Sequence, residues 1–444
     1  MNIETFNFPM VSLEWFLERL EEQYKCELED FQFDANGAPI VDSRNGLRKH
    51  REPAPMLALG KAGIGKTEGV RGIAKKMDAY VKSKPDIFGA GQGVGFKEIR
   101  LVNYEATDII GIPYKNEYNM TDHATNVLLP RPKSMGGEDY EYGIILVDEF
   151  TSAEDNIQVP ILQLMDSSRS VGNYHLPDGW KIIVAGNGPD DGGTFRSLPG
   201  TVISRAACFY VTTDKSSWLS WAKDNGIHST IRAYVKANPS SLHEYAESSD
   251  ESYDRAFACP RSWTRLSTSL YDWDKIYRGS DGKPDWSTNS NKVSDVFLTN
   301  WVSSYIGAKT GRDFTVFIRN TANVIPAEDI LSGKAKPFNA DFAADSAACY
   351  LTITKLSDAL RAECNDNISL MSFEISAESK KRLANALRWI TEGTAGREQK
   401  TFAVQDVCAA VPAISASLLP DAEFNKMVPK LNEISELNAR VNNL

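Results

Sequence analysis

Residues 60–67 read Gly60-Lys61-Ala62-Gly63-Ile64-Gly65-Lys66-Thr67, the spacing G-x-x-x-x-G-K-[ST]. Few octapeptides restrict a fold so strongly. The glycines let the backbone curl with several N–H groups turned inward, a concavity that suits an anion. Such a loop works when a strand feeds it and a helix leaves it, because the helix N-terminus then faces the bound charge. Both flanks are present. Met56-Leu57-Ala58-Leu59 reads as a short buried strand, and residues 68–82 carry apolar positions at helical spacing. A chance glycine-rich turn is the alternative, and the strand and helix argue against it. The motif predicts a cradle made of Gly60, Lys61, Ala62, Gly63, Ile64, Gly65, Lys66, Thr67 and Glu68. In it Lys66 reaches the β- and γ-phosphates of a polyphosphate and the Thr67 hydroxyl holds Mg²⁺.

Composition narrows the class. The chain has 444 residues, room for two or three domains, with 42% hydrophobic and 24% charged residues. No apolar run is long enough to span a bilayer, and the first ten residues lack a signal-peptide pattern, so a cytoplasmic protein with no membrane contact is expected. The six cysteines form no C-x-x-C pair and the five histidines show no ligand spacing, so reduced thiols are expected rather than disulfides or zinc. A net charge of −10 argues against a general nucleic-acid coat, though a local basic pore is compatible with it. The densest basic patch, Leu47-Arg48-Lys49-His50-Arg51, reads as a solvated linker.

Two further strands carry chemistry. Ile144-Ile145-Leu146-Val147-Asp148-Glu149 is an apolar run that delivers two carboxylates at its end. In a nucleotide-binding α/β sheet the ligand lies at that edge. There Asp148 joins the Mg²⁺ shell and Glu149 polarises the attacking water. Lys181-Ile182-Ile183-Val184-Ala185-Gly186-Asn187 is a second buried run ending in a small polar residue. On local sequence two readings of Asn187 stand: it orients the lytic water, or it starts a turn before Gly188-Pro189.

The order of these motifs resembles the AAA+ ATPases. After the loop, the Asp-Glu strand and the Asn strand come Leu198-Pro199-Gly200-Thr201-Val202-Ile203-Ser204-Arg205 and Cys259-Pro260-Arg261-Ser262-Trp263. Thr107-Asp108-Ile109-Ile110-Gly111, Leu162-Gln163-Leu164-Met165 and His175-Leu176-Pro177-Asp178-Gly179 resemble segments of the MoxR-like, dynein-related branch. The Pro-Arg-Ser-Trp segment is nearest to the phage-encoded members. The likeness runs from about residue 54 to about residue 270. It implies an α/β, P-loop AAA+ three-layer module with a central parallel sheet, followed by a helical lid and a helical C-terminal domain. The segments would be an N-terminal extension (1–53), the nucleotide-binding domain (54–213), the lid (214–335) and the C-terminal domain (336–444).

The resemblance further implies roles. Asn187 becomes the sensor-1 residue, Arg261 the sensor-2 residue, and Arg205 an arginine finger acting on the neighbour's nucleotide, with Arg196 as the other candidate finger. A planar cation at a subunit boundary neutralises transition-state charge only in an assembled ring. The expected assembly is a homo-oligomer, a hexameric ring. It would hydrolyse ATP with Mg²⁺ to remodel a protein partner, such as one with a von Willebrand factor A domain. A nucleic-acid motor and an ATP-switched scaffold are the rival functions. One departure is Ala206-Ala207, where relatives place an aromatic residue after the finger.

Residues 111–135 and 169–178 resemble hairpin inserts of that branch, the second turning at Gly172-Asn173. Tyr114, Tyr118 and Tyr174 are either substrate-gripping residues or aromatics packed on their own domain. The rest reads as mostly helical, including 216–238, 293–320, 344–364 and 376–392. An apolar stripe in 422–444 suits either a docking helix or core.

Overall fold

The computed structural model describes residues 8–410, apart from 42–45, 50, 125–126, 189–194, 199, 245–255, 281, 283 and 368–376. The stripe in 422–444 therefore lies outside the described residues. The chain forms two compact units that divide between Ser217 and Trp218.

The first unit runs β1 (Met10–Ser12), α1 (Leu13–Glu29), β2 (Met56–Leu59), α2 (Lys66–Lys82), α3 (Pro85–Phe88), β3 (Val94–Arg100), α4 (Ala106–Ile110), β4 (Ile112–Lys115), β5 (Thr121–Ala124), β6 (Tyr142–Asp148), α5 (Asp155–Met165), β7 (Ser170–Val171), β8 (Tyr174–His175), β9 (Gly179–Gly186), α6 (Gly200–Ile203) and β10 (Ala207–Thr212). Six strands make one parallel sheet in the order β1-β10-β2-β9-β6-β3. Its central strands are apolar on both faces, as a sheet covered on both sides requires. Met56, Ala58, Ile144, Leu146, Ile183 and Ala185 pack with α1 and α2 through Phe16, Leu20, Val70, Ile73 and Met77. Leu57, Leu59, Ile145, Val147, Ile182 and Val184 pack the other way, against Ile157, Ile161 and Leu164 of α5. This is the expected three-layer α/β architecture.

The N-terminal segment is built into this unit rather than standing apart. β1 pairs with β10 from Met10↔Tyr210 to Ser12↔Thr212. Ser12 caps α1 by accepting the Trp15 N–H at 3.1 Å. Glu27 of α1 meets the fully buried Lys181 Nζ at 2.8 Å. Burial pushes the Lys181 ammonium down from its ordinary range, and Glu27 pushes it back up. Trp180 shows how the sheet makes room for a large ring. A Cβ at Gly143 would stand 2.5 Å from its indole, and one at Gly95 2.7 Å.

The second unit is helical: α7 (Lys215–Asp224, which begins in the first unit), α8 (Ser229–Ala237), α9 (Pro260–Ile276), α10 (Asp295–Ile306), α11 (Ala308–Arg319), α12 (Ala327–Leu331), α13 (Ala340–Ala344), α14 (Ser346–Asn367), α15 (Ala377–Glu392) and α16 (Arg397–Ala410). The run 293–320 is two helices, not one. Gly307 at φ 86° ends α10, and a Cβ there would meet the Ala256 carbonyl at 2.5 Å. Lid and C-terminal segments share α14. Its Ala347 and Leu351 join the core of α8–α11, while Cys349, Ile353 and Leu356 join that of α12–α16.

Candidate nucleotide site

The loop leaves β2 at Gly60, whose N–H donates to the Gly186 carbonyl at 3.2 Å. A Cβ on Gly60 would stand 2.2 Å from the Val211 carbonyl oxygen, so only glycine fits there. Gly63 (φ 78°) and Gly65 (φ 104°) take the left-handed region as the chain turns into α2. Ile64 is buried in the core and pins the loop from beneath. The Lys66 ammonium folds back over the curl, donating to the carbonyls of Gly60 and Lys61. Lys61, Ala62 and Thr67 stay partly open to solvent. This is a cradle of backbone donors with one cation lying across it.

Parallel register brings the acids to the same edge. Leu59, the last residue of β2, pairs with Gly186, the last of β9, and Val147 of β6 pairs with Val184. The Thr67 hydroxyl donates to Asp148 Oδ2 at 2.7 Å across 81 residues of sequence. Asp148 Oδ1 accepts the Glu149 N–H at 2.9 Å. Glu149 itself sits at φ 59°, ψ 29°, a conformation that costs a non-glycine residue of order 1 kcal/mol. It turns the chain sharply after β6 and leaves the Glu149 carboxylate half-exposed at the strand end.

Thr151 ties this turn to β9. Its hydroxyl donates to the Asn187 carbonyl at 2.9 Å and accepts the Asn187 N–H at 3.0 Å. The turn that carries Glu149 is thus bonded directly to the Asn187 backbone. The sequence reading missed Thr151, whose only signal was a small polar residue two positions beyond the acids. It also missed Arg100, the register partner of Asp148 on β3. Arg100 donates to Glu98 at 2.9 Å, and Glu98 in turn binds Arg71. The hydrogen bond Arg100 donates to Glu98, with the charge of Glu98, Asp148 and Glu149, raises the Arg100 pKa. Glu68 lies in the first turn of α2 and pairs with Arg71.

The two finger candidates occupy opposite ends of the sheet. Arg205 precedes β10, whose first residue donates from Ala207 N to the Pro55 carbonyl, below the start of β2. Four strand residues separate that level from Gly60, roughly 13 Å. Arg205 therefore stands far from its own loop. It donates to the Thr201 carbonyl at 2.6 Å and to Asp166 Oδ2 at 3.2 Å, leaving its buried Nε without a partner. The Ser167 N–H and Arg205 hold the Asp166 carboxyl below its ordinary range. Arg196 stands at the loop's edge instead, its N–H donating to the Thr151 carbonyl at 2.8 Å. Arg261 is exposed at the second position of α9, in the second unit.

The two inserts are hairpins. β4 and β5 pair antiparallel, with Tyr114 and Tyr118 exposed, Tyr114 donating to Asp122 at 3.4 Å. β7 and β8 turn at Gly172 (φ 55°). Tyr174 is buried and donates to the Pro130 carbonyl at 2.7 Å, so of the two readings it takes the packing one. No helix among the described residues is long and apolar enough to cross a membrane. Cys26, Cys208, Cys259 and Cys349 are free thiols, and no cluster of three metal-ligating His, Cys, Asp or Glu occurs among the described residues.

Sheet order, loop and acidic strand end together define a three-layer α/β domain with a parallel central sheet and a phosphate-loop sequence at the C-terminal edge of that sheet. No known family's sequence profile matches this chain, and no curated protein matches it. A solved structure to which it is similar is that of a candidate ATPase of Cytophaga hutchinsonii, at 14% identity, covering 83% of this chain and 79% of that one, with a TM-score of 0.29. A likeness that loose assigns neither fold nor activity, and the class rests on the sheet and the loop.

Proposed function

We propose that this chain is a ring-forming ATPase of the AAA+ type, MoxR-like in its motif order, that hydrolyses ATP with Mg²⁺ to remodel a protein partner. The observation that carries the hydrolase reading is the Thr67–Asp148 hydrogen bond at 2.7 Å with Glu149 beside it. A hydroxyl and a carboxylate held in contact at a helix N-terminus fit a divalent ion bound to phosphate. Thr67 and Asp148 would hold that ion, which supplies charge neutralisation on the phosphate oxygens.

The remaining steps belong to the side chains. The N–H groups of 60–67 and the Lys66 ammonium bind the polyphosphate. Glu149 accepts a proton from water as the water oxygen bonds to the terminal phosphorus. The bond from that phosphorus to the bridging oxygen breaks, and its electron pair stays with ADP. Asn187, fixed by Thr151, orients the water. Arg205, on the far side of its own sheet, serves the neighbour's phosphate. The exposed β4–β5 hairpin, with Ile112, Tyr114, Tyr118 and Met120, supports contact with a protein partner rather than a nucleic acid.

The test is phosphate release by the purified chain with and without Mg²⁺, together with its mass in solution with ATP. Mg²⁺-dependent release from an oligomer supports the reading. A monomer under every nucleotide condition removes the ring, and no release removes the hydrolase.

A further inference from the structure

Arg196 has a placement that its earlier alternative as a trans-acting finger does not use. Its backbone is pinned to Thr151, two residues beyond Glu149, on the edge of the sheet where Thr67 meets Asp148. Thr151 also fixes Asn187, so one threonine organises the base, the sensor and the arginine backbone. The Arg196 side chain is exposed and only loosely engaged. Its Nη1 lies 3.9 Å from Asp155 Oδ1, in a pair 42% and 86% exposed, which is worth little. It is thus an exposed cation, weakly paired, whose backbone is anchored at its own chain's sheet edge. Arg205 differs on each point: it is half-buried, bonded to Thr201 and Asp166, and at the opposite edge. The two pair with residues at opposite ends of α5, Asp155 at its start and Asp166 just past its end, about 16 Å apart.

We infer that Arg196 is a catalytic residue acting in cis, contacting the terminal phosphate of its own subunit's nucleotide as negative charge develops there. Arg205 then remains the trans contribution, so each site draws one arginine from either side. The inference deepens the hydrolase reading above and rests on it. A guanidinium suits the task because its donors match phosphate oxygens in pairs and it stays charged at every working pH. The loosely bound Asp155 releases it cheaply when phosphate arrives.

The experiment uses Arg196→Ala and Arg196→Lys in the full chain, with ATP binding, phosphate release and trapping of Mg²⁺–ADP–aluminium fluoride as readouts. Arg196→Ala should bind ATP within about twofold of wild type while phosphate release falls about 10²-fold and the trapped complex is lost. Arg196→Lys should recover part of both. Mixing separates cis from trans. Lys66→Ala subunits carry an intact Arg196 but a disabled loop. Added to Arg196→Ala subunits they should restore nothing, whereas added to Arg205→Ala subunits they should restore turnover. Wild-type release and trapping by Arg196→Ala, or its rescue by mixing, overturns the cis assignment. If the Arg205 mixture alone fails to recover, the ring reading falls and the trapping result still decides Arg196.

Discussion

Replacing Thr151 with valine should cost about 2–3 kcal/mol of stability and most of the turnover. The substitution keeps the shape and removes one oxygen. That oxygen is fully buried and makes two hydrogen bonds, to the N–H and carbonyl of Asn187. Each bond contributes about 1 kcal/mol net, and a buried group left without a partner adds about 1–3 kcal/mol. Asn187 is half-buried, so water recovers part of that penalty. Water cannot enter behind the threonine itself, because Gly186 packs so tightly that a Cβ there would stand 2.7 Å from Thr151 Oγ1. Thr151→Ser is the control. It keeps both bonds and gives up a methyl, about 1 kcal/mol. Urea unfolding gives the stabilities and phosphate release the turnover. Nucleotide affinity should change little, since residues 60–67 are untouched. A valine variant as stable and as active as the serine variant would refute the claim that Thr151 holds the base and Asn187 in place.

Lys66→Ala should weaken ATP binding about 10–100-fold, from the loss of a charge-assisted contact of about 1.5–3 kcal/mol; titration with ATP checks it, and unchanged affinity contradicts it. Arg205→Ala should bind ATP normally yet hydrolyse it about 10³-fold more slowly, with recovery on mixing with Lys66→Ala subunits. Asp214 caps α7, accepting the N–H groups of Ser216 (3.1 Å) and Ser217 (2.8 Å) and both their hydroxyls. Burial raises its pKa, but the Ser217 and Ser216 hydrogen bonds outweigh that and bring it from 3.8 to about 2. A depressed carboxylate stabilises above its unfolded pKa and loses that contribution as pH falls through the folded one. Asp214→Ala should therefore cost about 1 kcal/mol near neutral pH, a typical cap value and less than the full shift implies for a half-exposed group. The gap to wild type should close between about pH 4 and pH 2 in urea unfolding, and a gap independent of pH would count against the cap.

The site was legible where its residues are local. The loop, the Asp148–Glu149 strand end and the Asn187 strand end each lie within one run, and parallel pairing brings the runs to one edge. What could not be read depends on partners distant in sequence. β1 is three residues long and carries no period, so its pairing with β10, from Met10↔Tyr210 to Ser12↔Thr212, left no signal. Lys181 stands at the start of its apolar run, where a lysine carries no sign of burial, yet it is buried with Glu27 of α1 reaching it. Thr151 looks like any residue after a strand until β9 comes alongside. Tyr174 offered two readings because burial by Pro130 and its loop is a tertiary fact. Gly307 broke a run that periodicity joins, since its left-handed φ is invisible to a hydrophobic pattern.

The central claim is that Glu149 activates water at a Mg²⁺–ATP site built by Thr67, Asp148 and Lys66. Its most direct test is Glu149→Gln, measured for ATP affinity and phosphate release in the same preparation. The amide has the carboxylate's shape but cannot take the proton, so ATP should bind as tightly as in wild type while release falls at least about 10²-fold. Release at the wild-type rate with intact binding would contradict the assignment outright.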